Sequence, residues 1–402
     1  MRFAKTLFKN RETGKSEYLL DKMIGLEPKE RMTEDAEAKL LEEAVQTSYR
    51  RGGKVASLTT DVTKQTVKNK IHELKFPKNA EKPKIKKVVD YLYIDADEDH
   101  VSLQFREHKG DLIRNDNNQK NNCLITKLIY VYEGTEREAP KSHRYRLVNP
   151  YYFCGVNTGE ENHRFWDEVY EYLDSHYDLS KVKKIYANSD GGAWIMAGIK
   201  RIEGAIHVLD GFHLETYLTK LTSHMKDTKD DAKQELRDCI RSQTKADFIK
   251  LVDRLEEYPN AGLERMEKAR EYILCNWSAA KRRLKHKDGV KGSSTEGHVS
   301  HVLSSRMSSR PLGWSVIGAT NMARLRAYYY NGGDMLELVR FQEKEIPKAA
   351  GAEEYNLLSS AQIISSERDR HGELGKYTET ISHSISLQSK KKMYFNSHIW
   401  GL

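Results

Sequence analysis

The sequence predicts an α/β protein in which a mixed sheet is flanked by helices, with helices before the sheet and an all-helical insertion within it. Strand-like runs first follow one another and then alternate with helical segments across residues 88–211, as in a mixed sheet with helices on its faces. Residues 212–290 are a long charged stretch with helical periodicity and no strand pattern. With 402 residues, the chain is long enough for two or three domains.

The N-terminal part divides into a strand-and-turn segment, residues 1–32, and a helical segment, residues 33–75. Within the helical segment, a first helix over 33–49 precedes an Arg-Gly-Gly break at 51–53, and Thr63 is placed to cap a further helix. The apolar residues of that further helix fall on one face: Val67, Ile71 and Leu74. Two amphipathic helices separated by a break are therefore expected here.

The opposite face of the further helix carries side chains of the types that contact phosphates and base edges in a DNA major groove: Lys64, Gln65, Lys68 and Asn69. We therefore predict a helix-turn-helix DNA-binding domain over 33–75, with 64–74 as its recognition helix. A helical hairpin with an ordinary polar face fits the pattern nearly as well. Residues 76–87, with Pro77 and Pro83, are predicted to be a basic linker.

The first part of the sheet domain, residues 88–211, has predicted strands at 88–94, 101–105, 124–132, 182–187 and 205–209. Its turns are clearest at Gly110 and over 115–122. Its predicted helices are 161–177, with Phe165, Trp166, Val169, Tyr170 and Leu173 along one stripe, and 194–199. After the insertion, the domain ends in helices over 291–345 that are broken near 310–314 and 331–333. The tail, 346–402, has weak periodicity and is predicted to be partly disordered.

The charge of the chain is mildly basic overall but unevenly distributed. The formal net charge is +8, and residues 64–87 hold nine lysines. A second basic cluster covers 281–287, with Lys291 just beyond it. Localised basic stretches suit a polyanionic partner, because neutralising phosphates releases condensed counterions. Solvated lysines on an ordinary surface explain either cluster alone about equally well.

The cysteines and the chain start indicate a soluble cytoplasmic protein without a membrane partner. The four cysteines, at 123, 154, 239 and 275, include no Cys-x-x-Cys pair, so neither a disulfide framework nor a zinc ribbon is expected. The first eleven residues lack the uninterrupted apolar run of a signal peptide, and no stretch approaches membrane-spanning length.

Three acidic residues stand in contexts that suit a site for divalent metal ions. Asp97 closes the first predicted strand, Asp190 closes the strand at 182–187, and Glu296 precedes a predicted helix. Carboxylates from two strand ends and a helix can hold a pair of Mg²⁺ or Mn²⁺ ions, because these hard cations prefer oxygen ligands. Two such ions stabilise both the attacking and the leaving oxygen in a phosphoryl displacement. If the three side chains converge, the protein cuts or joins nucleic acid.

Each acidic residue also has a plainer interpretation or a competitor. Asp95 competes with Asp97 for the first position; we favour Asp97 because an alternating strand restarts at Val101. Asp190 sits in Ser-Asp-Gly-Gly-Ala-Trp, at the strand edge where ligands bind in open α/β sheets. The alternative is that Asp190 caps the helix that follows.

Histidines raise two further possibilities. Asp210 and His213 stand at the end of the last strand, where a buried hydrogen bond between them would pin the junction with the insertion. The functional interpretation is that they orient the metal ligands or a DNA strand. His298 and His301 lie three residues apart on a predicted helix, so a zinc site is conceivable, but no other Cys or His ligands cluster with them in the sequence.

Four runs of the sequence resemble one known family. They are Tyr-Ile-Asp-Ala-Asp-Glu-Asp-His-Val-Ser-Leu-Gln at 93–104, Asn-Ser-Asp-Gly-Gly-Ala-Trp-Ile at 188–195, Val-Leu-Asp-Gly-Phe-His-Leu at 208–214, and the run from Glu-Gly-His-Val-Ser-His to Arg-Pro-Leu-Gly-Trp at 296–314. They resemble the ISLre-type insertion-sequence transposases, bacterial relatives of the Mutator-like DDE transposases. Residues 6–27 are also similar to that family, so the resemblance covers most of the chain.

The resemblance implies an RNase H-like fold with a helical insertion before the last acidic residue, and a DDE triad. Transferred residue by residue, the triad is Asp97, Asp190 and Glu296, which would bind two Mg²⁺ (or Mn²⁺) ions. Related superfamilies carry a Cys- or Asp-x-x-His motif after the second aspartate, and Asp210 with His213 fits it.

The function implied is that of a DNA transposase, which hydrolyses DNA at the element's ends and then transfers those ends to target DNA. The helix-turn-helix would read the terminal inverted repeats, while the basic linker and the cluster containing Arg282, Arg283 and Lys285 would hold the phosphate backbone. A homo-oligomer on DNA and a nucleoid-associated location are expected. The alternatives are a DNA-binding protein derived from a transposase, with an unused site, and a glycoside hydrolase with an acidic pair and no metal.

Overall fold

The structure is a computed structural model that describes residues 6–23, 32–56, 61–77, 82–104, 123–285, 295–310 and 312–344. The predicted turns at Gly110 and 115–122, the predicted disorder of 346–402, part of the basic linker and the basic residues from His286 to Lys291 lie outside these residues. No helix in the described ranges is long and apolar enough to cross a membrane.

A five-stranded mixed sheet lies at the centre, as the sequence predicts. In chain order the strands are β1 (Phe8–Lys9), β2 (Ser16–Glu17), β3 (Tyr91–Ser102), β4 (Cys123–Tyr132), β5 (Gly134–Arg137), β6 (Tyr145–Val148), β7 (Tyr151–Gly155), β8 (Lys184–Ser189) and β9 (Ala205–Leu209). The central sheet has the order β7-β4-β3-β8-β9, and two small hairpins pair β1 with β2 and β5 with β6. Strand β4 is antiparallel to β3 and β7, while β8 and β9 run parallel to β3. Four strands thus share one direction and β4 opposes them.

The first core strand is longer than predicted. The pattern predicts separate strands at 88–94 and 101–105, with Asp97 at the end of the first. In the structure β3 is one strand of 12 residues, because β4 pairs with it from Tyr93 to Ser102 and carries the ladder through the acidic residues. The expectation that Asp97 closes a strand is therefore wrong. Asp97 lies just beyond the end of the pairing with β8, which stops at Asp95.

The helices fall into four groups along the chain. Before the sheet come α1 (Leu19–Met23), α2 (Glu34–Gln46), α3 (Tyr49–Val55) and α4 (Lys64–Glu73); among the strands lie α5 (Glu161–His176) and α6 (Ala193–Ile199). After β9 come α7 (Gly211–Thr222), α8 (Lys229–Ser242), α9 (Lys245–Glu256), α10 (Leu263–Cys275) and α11 (Trp277–Lys285). The last group is α12 (Thr295–Val299), a π-helical turn (Ser300–Ser304), α13 (Ser305–Met307), α14 (Val316–Tyr330) and α15 (Met335–Lys344).

The two faces of the sheet are covered by different helices. Successive side chains of a strand point to opposite faces, so Leu92 and Ile94 join a core with α5 and α6, while Tyr93 joins a core with α14. Most of the predicted α5 stripe is buried as expected, but Tyr170 is 40% exposed and Tyr172 takes its place. Strands β5, β6 and β7 were not predicted, and β7 forms one edge of the central sheet.

The described residues after β9, up to Lys285, form helices joined by turns and contain no strand, as predicted, and they have their own core. Helices α7 to α11 enclose a cluster of fully buried side chains that includes Leu218, Leu236, Phe248, Val252 and Ile273. A capping box begins α9, in which Thr244 and Asp247 bond each other's backbone N–H. We call α7–α11 the helical insertion.

The N-terminal helices differ from the prediction in one respect. Thr63 caps α4 as expected, accepting the N–H of Thr66 at 3.2 Å, and the predicted apolar face of α4 is buried. Gly52 and Gly53, however, lie inside α3 rather than breaking a helix. A Cβ on Gly52 would approach the Ala44 Cβ within 2.9 Å, and one on Gly53 would meet the Val62 carbonyl oxygen at 2.1 Å. The glycines thus allow close packing of α3, not a break.

Buried arginines fasten these N-terminal helices to the rest of the fold. The Arg306 guanidinium donates to the Ala44 carbonyl oxygen at 3.1 Å, and that of Arg326 donates to the Val45 carbonyl oxygen at 2.7 Å. Arg326 also bonds the His301 carbonyl oxygen, in the π-helical turn, at 2.6 Å. The C-terminal end of α2 is therefore tied to the segment that follows Glu296.

Candidate functional site

The structure brings the two predicted aspartates to the same edge of two parallel strands. In the ladder between β3 and β8, Asp95 pairs with Asn188. Continuing that register by two residues sets Asp97 opposite Asp190, the residue directly after β8. Side chains at such an edge of parallel strands are well placed to bind a ligand together.

Glu296 reaches this edge from the other side of the helical insertion. It is exposed in the first turn of α12. The residue before it, Thr295, is buried and donates its hydroxyl to the Asp95 carboxylate at 3.1 Å. This hydrogen bond fixes the start of α12 against β3, the strand that also carries Asp97.

The electrostatics link the three predicted carboxylates and His213. The pKa of Asp97 is raised to about 7, chiefly because the carboxylate is buried, and the charges of Asp190 and Glu296 raise it further. The N–H of Glu98, which Asp97 accepts at 2.8 Å, and the charge of His213 act in the opposite direction. A carboxylate whose neighbours raise its pKa lies in a region of excess negative charge, which a cation would relieve.

The turn that carries Asp190 is shaped by contacts with the helical insertion. Tyr272 donates its hydroxyl to the Asp190 carbonyl oxygen at 2.6 Å. Gly191 has a φ of 89°, and a Cβ there would lie 2.5 Å from the Asn276 Oδ1 atom, so only glycine fits this close approach. The Asp190 carboxylate accepts the Gly192 N–H at 2.8 Å, and α6 begins without a side-chain cap. Asp190 therefore does not cap α6, the alternative drawn from the sequence.

Asp95 has a role of its own, apart from Asp97. Its side chain is fully buried. Four donors bond its two oxygens at 2.6 to 3.1 Å: Tyr130, Tyr132, Asn188 and Thr295. A carboxylate already saturated by donors is a poor candidate for a metal ligand and a good anchor for the strands around it.

We expect Asp95→Asn to lower the free energy of unfolding by about 1–3 kcal/mol, because the new amide group would face hydroxyl and amide donors with its own N–H groups. Denaturant unfolding of the purified variant measures this. Asp90→Asn, at the exposed position just before β3, is the matched control and should change stability by less than about 0.5 kcal/mol, because its ion pair with Lys183 is exposed to solvent. Equal stability of the Asp95 variant and the wild type would contradict the anchor role.

Asp210 and His213 form the predicted hydrogen bond at the start of the insertion. The buried Asp210 carboxylate caps α7, accepting the His213 backbone N–H at 3.0 Å and lying 3.2 Å from its Nδ1 atom. Burial alone would raise the pKa of Asp210, but these hydrogen bonds lower it. The bond to Asp210 raises the pKa of His213, with further contributions from Asp97 and Asp190. The pair thus fixes the junction beside the sheet edge that carries Asp97 and Asp190, which we call the acidic edge.

The residues predicted to bind DNA lie in two different settings. On α4, Lys64, Gln65 and Asn69 are exposed and Lys68 is half-buried on the face away from Val67 and Ile71. On α11, Lys285 is exposed. The other two α11 residues are engaged inside the protein: Arg282 donates to the His207 carbonyl oxygen at 2.9 Å, and Arg283 to the Asn188 side chain at 2.6 Å.

This differs from the expectation that Arg282 and Arg283 hold DNA phosphates. Arg283 also donates to the Leu209 carbonyl oxygen at 2.8 Å, and burial lowers its pKa. Both guanidiniums therefore join α11 to β8 and β9. The physical reason is that β9 is an edge strand of the sheet, and carbonyl groups on the open side of an edge strand lack ladder partners and need other donors.

His298 and His301 do not form the zinc site considered from the sequence. The His298 Nδ1 atom lies 3.2 Å from the Tyr152 hydroxyl, and burial lowers its pKa to about 4. Across the described ranges, no three His, Cys, Asp or Glu side chains stand close enough together to form a ready-made metal site. Asp97, Asp190 and Glu296 therefore fit Mg²⁺ or Mn²⁺ by donor type and charge, not as an assembled cluster.

Sequence reasoning missed several residues that build this edge. Asn188 and Thr295 stand next to the motifs around Asp190 and Glu296, so their neighbours in the chain were the available signal. Tyr272 and Asn276 lie in the helical insertion, and no local pattern marks them. Only the fold shows that they pack against the turn at Asp190.

The comparison with protein families identifies this chain. Residues 1–345 match the family described as "Uncharacterised protein family (UPF0236)". The chain belongs to the UPF0236 family.

Members of the UPF0236 family from two bacteria are similar in sequence to this chain. A UPF0236 protein of Caldanaerobacter subterraneus subsp. tengcongensis, whose name joins four loci, is 35% identical over 344 residues, covering 86% of this chain and 68% of the relative. Another, whose name joins eleven loci, has the same identity and the same coverage. The "UPF0236 protein in vanSb 3'region" of Streptococcus gallolyticus is 26% identical, over 80% of this chain and 69% of the relative. Two further relatives are covered to 65%, so the chain spans about two thirds of the length of these relatives.

Among solved structures, this UPF0236 chain is similar to the Drosophila P element transposase strand transfer complex. The match has 10% sequence identity and a TM-score of 0.26, and it covers 81% of this chain and 84% of the other. A TM-score this low does not establish a shared fold.

Proposed function

We propose that this UPF0236 protein is the DNA transposase of a bacterial insertion sequence, which cleaves DNA at the element's ends and joins them to target DNA by a DDE mechanism. The observation that carries the proposal is that the β3–β8 pairing ends two residues before Asp97 and Asp190, and that the charges of Asp190 and Glu296 both act on Asp97. These residues are distant in sequence, so their approach is a property of the fold rather than of local composition.

The chain topology supports an RNase H-like core. Only β4 runs against the other strands of the central sheet, and helices cover both faces. The helical insertion follows β9 and precedes α12, which carries the last acidic residue. This is the order of parts that the resemblance to ISLre-type transposases implies.

The relatives' names supply a second line of support. One name in the Caldanaerobacter genome joins eleven loci and another joins four. Near-identical proteins encoded at many places in one genome are typical of mobile elements, because each transposition event that copies an element adds another locus. A transposase accounts for this repetition, whereas an ordinary metabolic enzyme does not.

In the proposed mechanism, Asp97, Asp190 and Glu296 would hold Mg²⁺ or Mn²⁺ through their carboxylate oxygens. Two bound ions would activate a water or a 3′-hydroxyl and stabilise the departing oxygen. His213, oriented by Asp210, lies beside the acidic edge, where it offsets negative charge and helps to orient a metal ligand or the DNA strand. Asp95 and Thr295 hold the two chain segments in position.

DNA recognition is assigned to the N-terminal helices. We propose that α2–α4 act as a helix-turn-helix domain, with the exposed face of α4 reading the terminal inverted repeats through Lys64, Gln65, Lys68 and Asn69. Two ends of one element must be held together, so a homo-oligomer on DNA is part of the proposal. It also includes an association with the nucleoid.

The test is a nicking assay on linear DNA that carries the inverted repeats flanking the reading frame of this protein. We expect strand cleavage at the repeat ends with Mg²⁺ or Mn²⁺ and none in the presence of EDTA, because the carboxylates need the cation to act on a phosphodiester. DNA of the same length without the repeats is the control. Cleavage that persists in EDTA would reject the metal mechanism; specific binding without cleavage would favour a DNA-binding protein with an unused site.

A further inference from the structure

We propose that a basic pocket on the helical insertion binds backbone phosphates of the DNA strand cleaved at the acidic edge, a few nucleotides from the cut. The pocket measures about 370 Å³ and is lined by Tyr217, Lys220, Glu264, Arg265 and Lys268. This proposal rests on the proposed function, and it adds a DNA-contacting surface beyond α4. Three cationic side chains against one carboxylate favour a polyanionic ligand.

Two helices lead from the acidic edge to this pocket. On α7, His213, Tyr217 and Lys220 are spaced four and three residues apart, which places them along one face of the helix. His213 is the residue bonded to Asp210 at the acidic edge. The face of α7 that begins beside Asp97 and Asp190 therefore ends at a lysine of the pocket.

The second helix, α10, also extends between the pocket and the acidic edge, but its chain direction is opposite to that of α7. On α10, Arg265, Lys268 and Tyr272 are spaced three and four residues apart and also share a face. Tyr272 is at the acidic edge, since its hydroxyl bonds the Asp190 carbonyl oxygen at 2.6 Å. Tyr217 stacks on Tyr272 with ring centroids 3.7 Å apart, so the two faces adjoin.

The distances suit neighbouring nucleotides. At about 1.5 Å of rise per helical residue, Arg265 lies roughly 10 Å along α10 from Tyr272. One strand of DNA advances about 3.4 Å per nucleotide. A strand held at Asp190 would therefore reach the far cation of the pocket within roughly three nucleotides.

The pocket's cations are available, unlike Arg282 and Arg283 of α11. Lys268 pairs with Glu264 at 2.7 Å, but both side chains are largely exposed. In the part of the chain that the structure describes, no carboxylate pairs with Lys220 or Arg265, and the Lys220 ammonium lies over the Tyr217 ring, 3.8 Å from its centroid. The Lys220 side chain is already ordered by its contact with Tyr217, which in turn stacks on Tyr272. Little further side-chain entropy is therefore lost when a phosphate binds.

The experiment measures binding of a fluorescent, mixed-sequence 20-nucleotide single-stranded DNA to the full chain in EDTA, as a function of salt. We compare the wild type with the Lys220→Ala/Arg265→Ala double variant. If both cations contact phosphates, affinity falls about tenfold at 0.1 M salt, and the slope of log K against log salt becomes shallower by about 1.4, or 0.7 per contact.

Two further variants separate a pocket effect from loss of net charge or of folding. Lys226→Ala/Lys250→Ala removes the same charge from exposed positions of the insertion outside the pocket, and we expect less than a twofold change. Glu264→Gln, which removes the one carboxylate, should raise affinity. The proposal is overturned if the two double variants weaken binding equally, if Glu264→Gln weakens it, or if the wild type binds no DNA.

Binding in EDTA is independent of cleavage, so the two proposals can fail separately. If the wild type never nicks repeat-end DNA with Mg²⁺ but the pocket variants still lose binding selectively, the transposase mechanism fails and the pocket stands as a DNA site. If the wild type cleaves and the pocket variants bind and cleave like their control, the pocket assignment fails alone.

Discussion

Asp97→Asn is expected to lower the rate of metal-dependent DNA cleavage at least about a thousandfold, the scale on which essential active-site groups act. The charges of Asp190 and Glu296 both act on Asp97, and an amide retains the shape of the side chain but not its charge. Without that charge the site should bind Mg²⁺ or Mn²⁺ too weakly to act. The measurement is the rate of nicking at repeat ends, with DNA binding followed in parallel.

Binding and stability distinguish this effect from misfolding. DNA affinity in EDTA should stay within about twofold of wild type. The free energy of unfolding should not fall, because burial and two neighbouring carboxylates already disfavour the charge that the variant removes. Asp90→Asn, an exposed position on the approach to β3, is the control and should cleave at the wild-type rate. An Asp97 variant that cleaves normally would remove the basis of the mechanism.

Arg326→Met is expected to destabilise the protein by about 3–5 kcal/mol, because it leaves several buried carbonyl groups without a donor, at a cost of about 1–3 kcal/mol each. Arg326 is 2% exposed. Its guanidinium bonds three carbonyl oxygens and two hydroxyls: those of Val45, Val302, His301, Ser305 and Tyr330. Methionine fills much of the volume but leaves the carbonyl groups without donors, and each unmet group has a cost.

The neighbouring Arg324 provides a control on the same helix. It is exposed on α14, so Arg324→Met should change the free energy of unfolding by less than about 0.5 kcal/mol. Arg326→Lys should also be destabilising, because an ammonium cannot reproduce the planar fork of donors. Denaturant unfolding measures all three variants. A loss below about 1 kcal/mol for Arg326→Met would show that the network contributes little.

The parts of the fold that the sequence predicted are those with strong local patterns. The strand at 205–209 matches β9 residue for residue, because a short apolar run stands between turn residues. The helical character of the stretch after β9 also follows from periodicity, although its division into five helices was not predicted. Thr63, as a cap, and Val67 and Ile71, as a buried face, were predictable for the same reason: each signal lies within one helical turn.

The parts that the sequence did not predict depend on partners far away in the chain. The course of β3 through Asp97 is decided by pairing with β4, not by its own acidic residues. Asp95 could not be separated from Asp97 with certainty by pattern, since its donors lie on three other chain segments. Arg283 is of a residue type that often contacts DNA, but its guanidinium lies at the carbonyl group of Leu209, to which it donates a hydrogen bond.

The arginine bonds between the end of α2 and the π-helical turn have a geometric consequence for the proposed activity. They join the helices that would read sequence to the segment leading from the last acidic residue. If the recognition helices and the cleavage site are held rigidly together, a constant number of base pairs would lie between the bases recognised and the bond cleaved. Element ends processed by this protein would then share a single spacing between the recognised bases and the severed bond, whatever the intervening sequence.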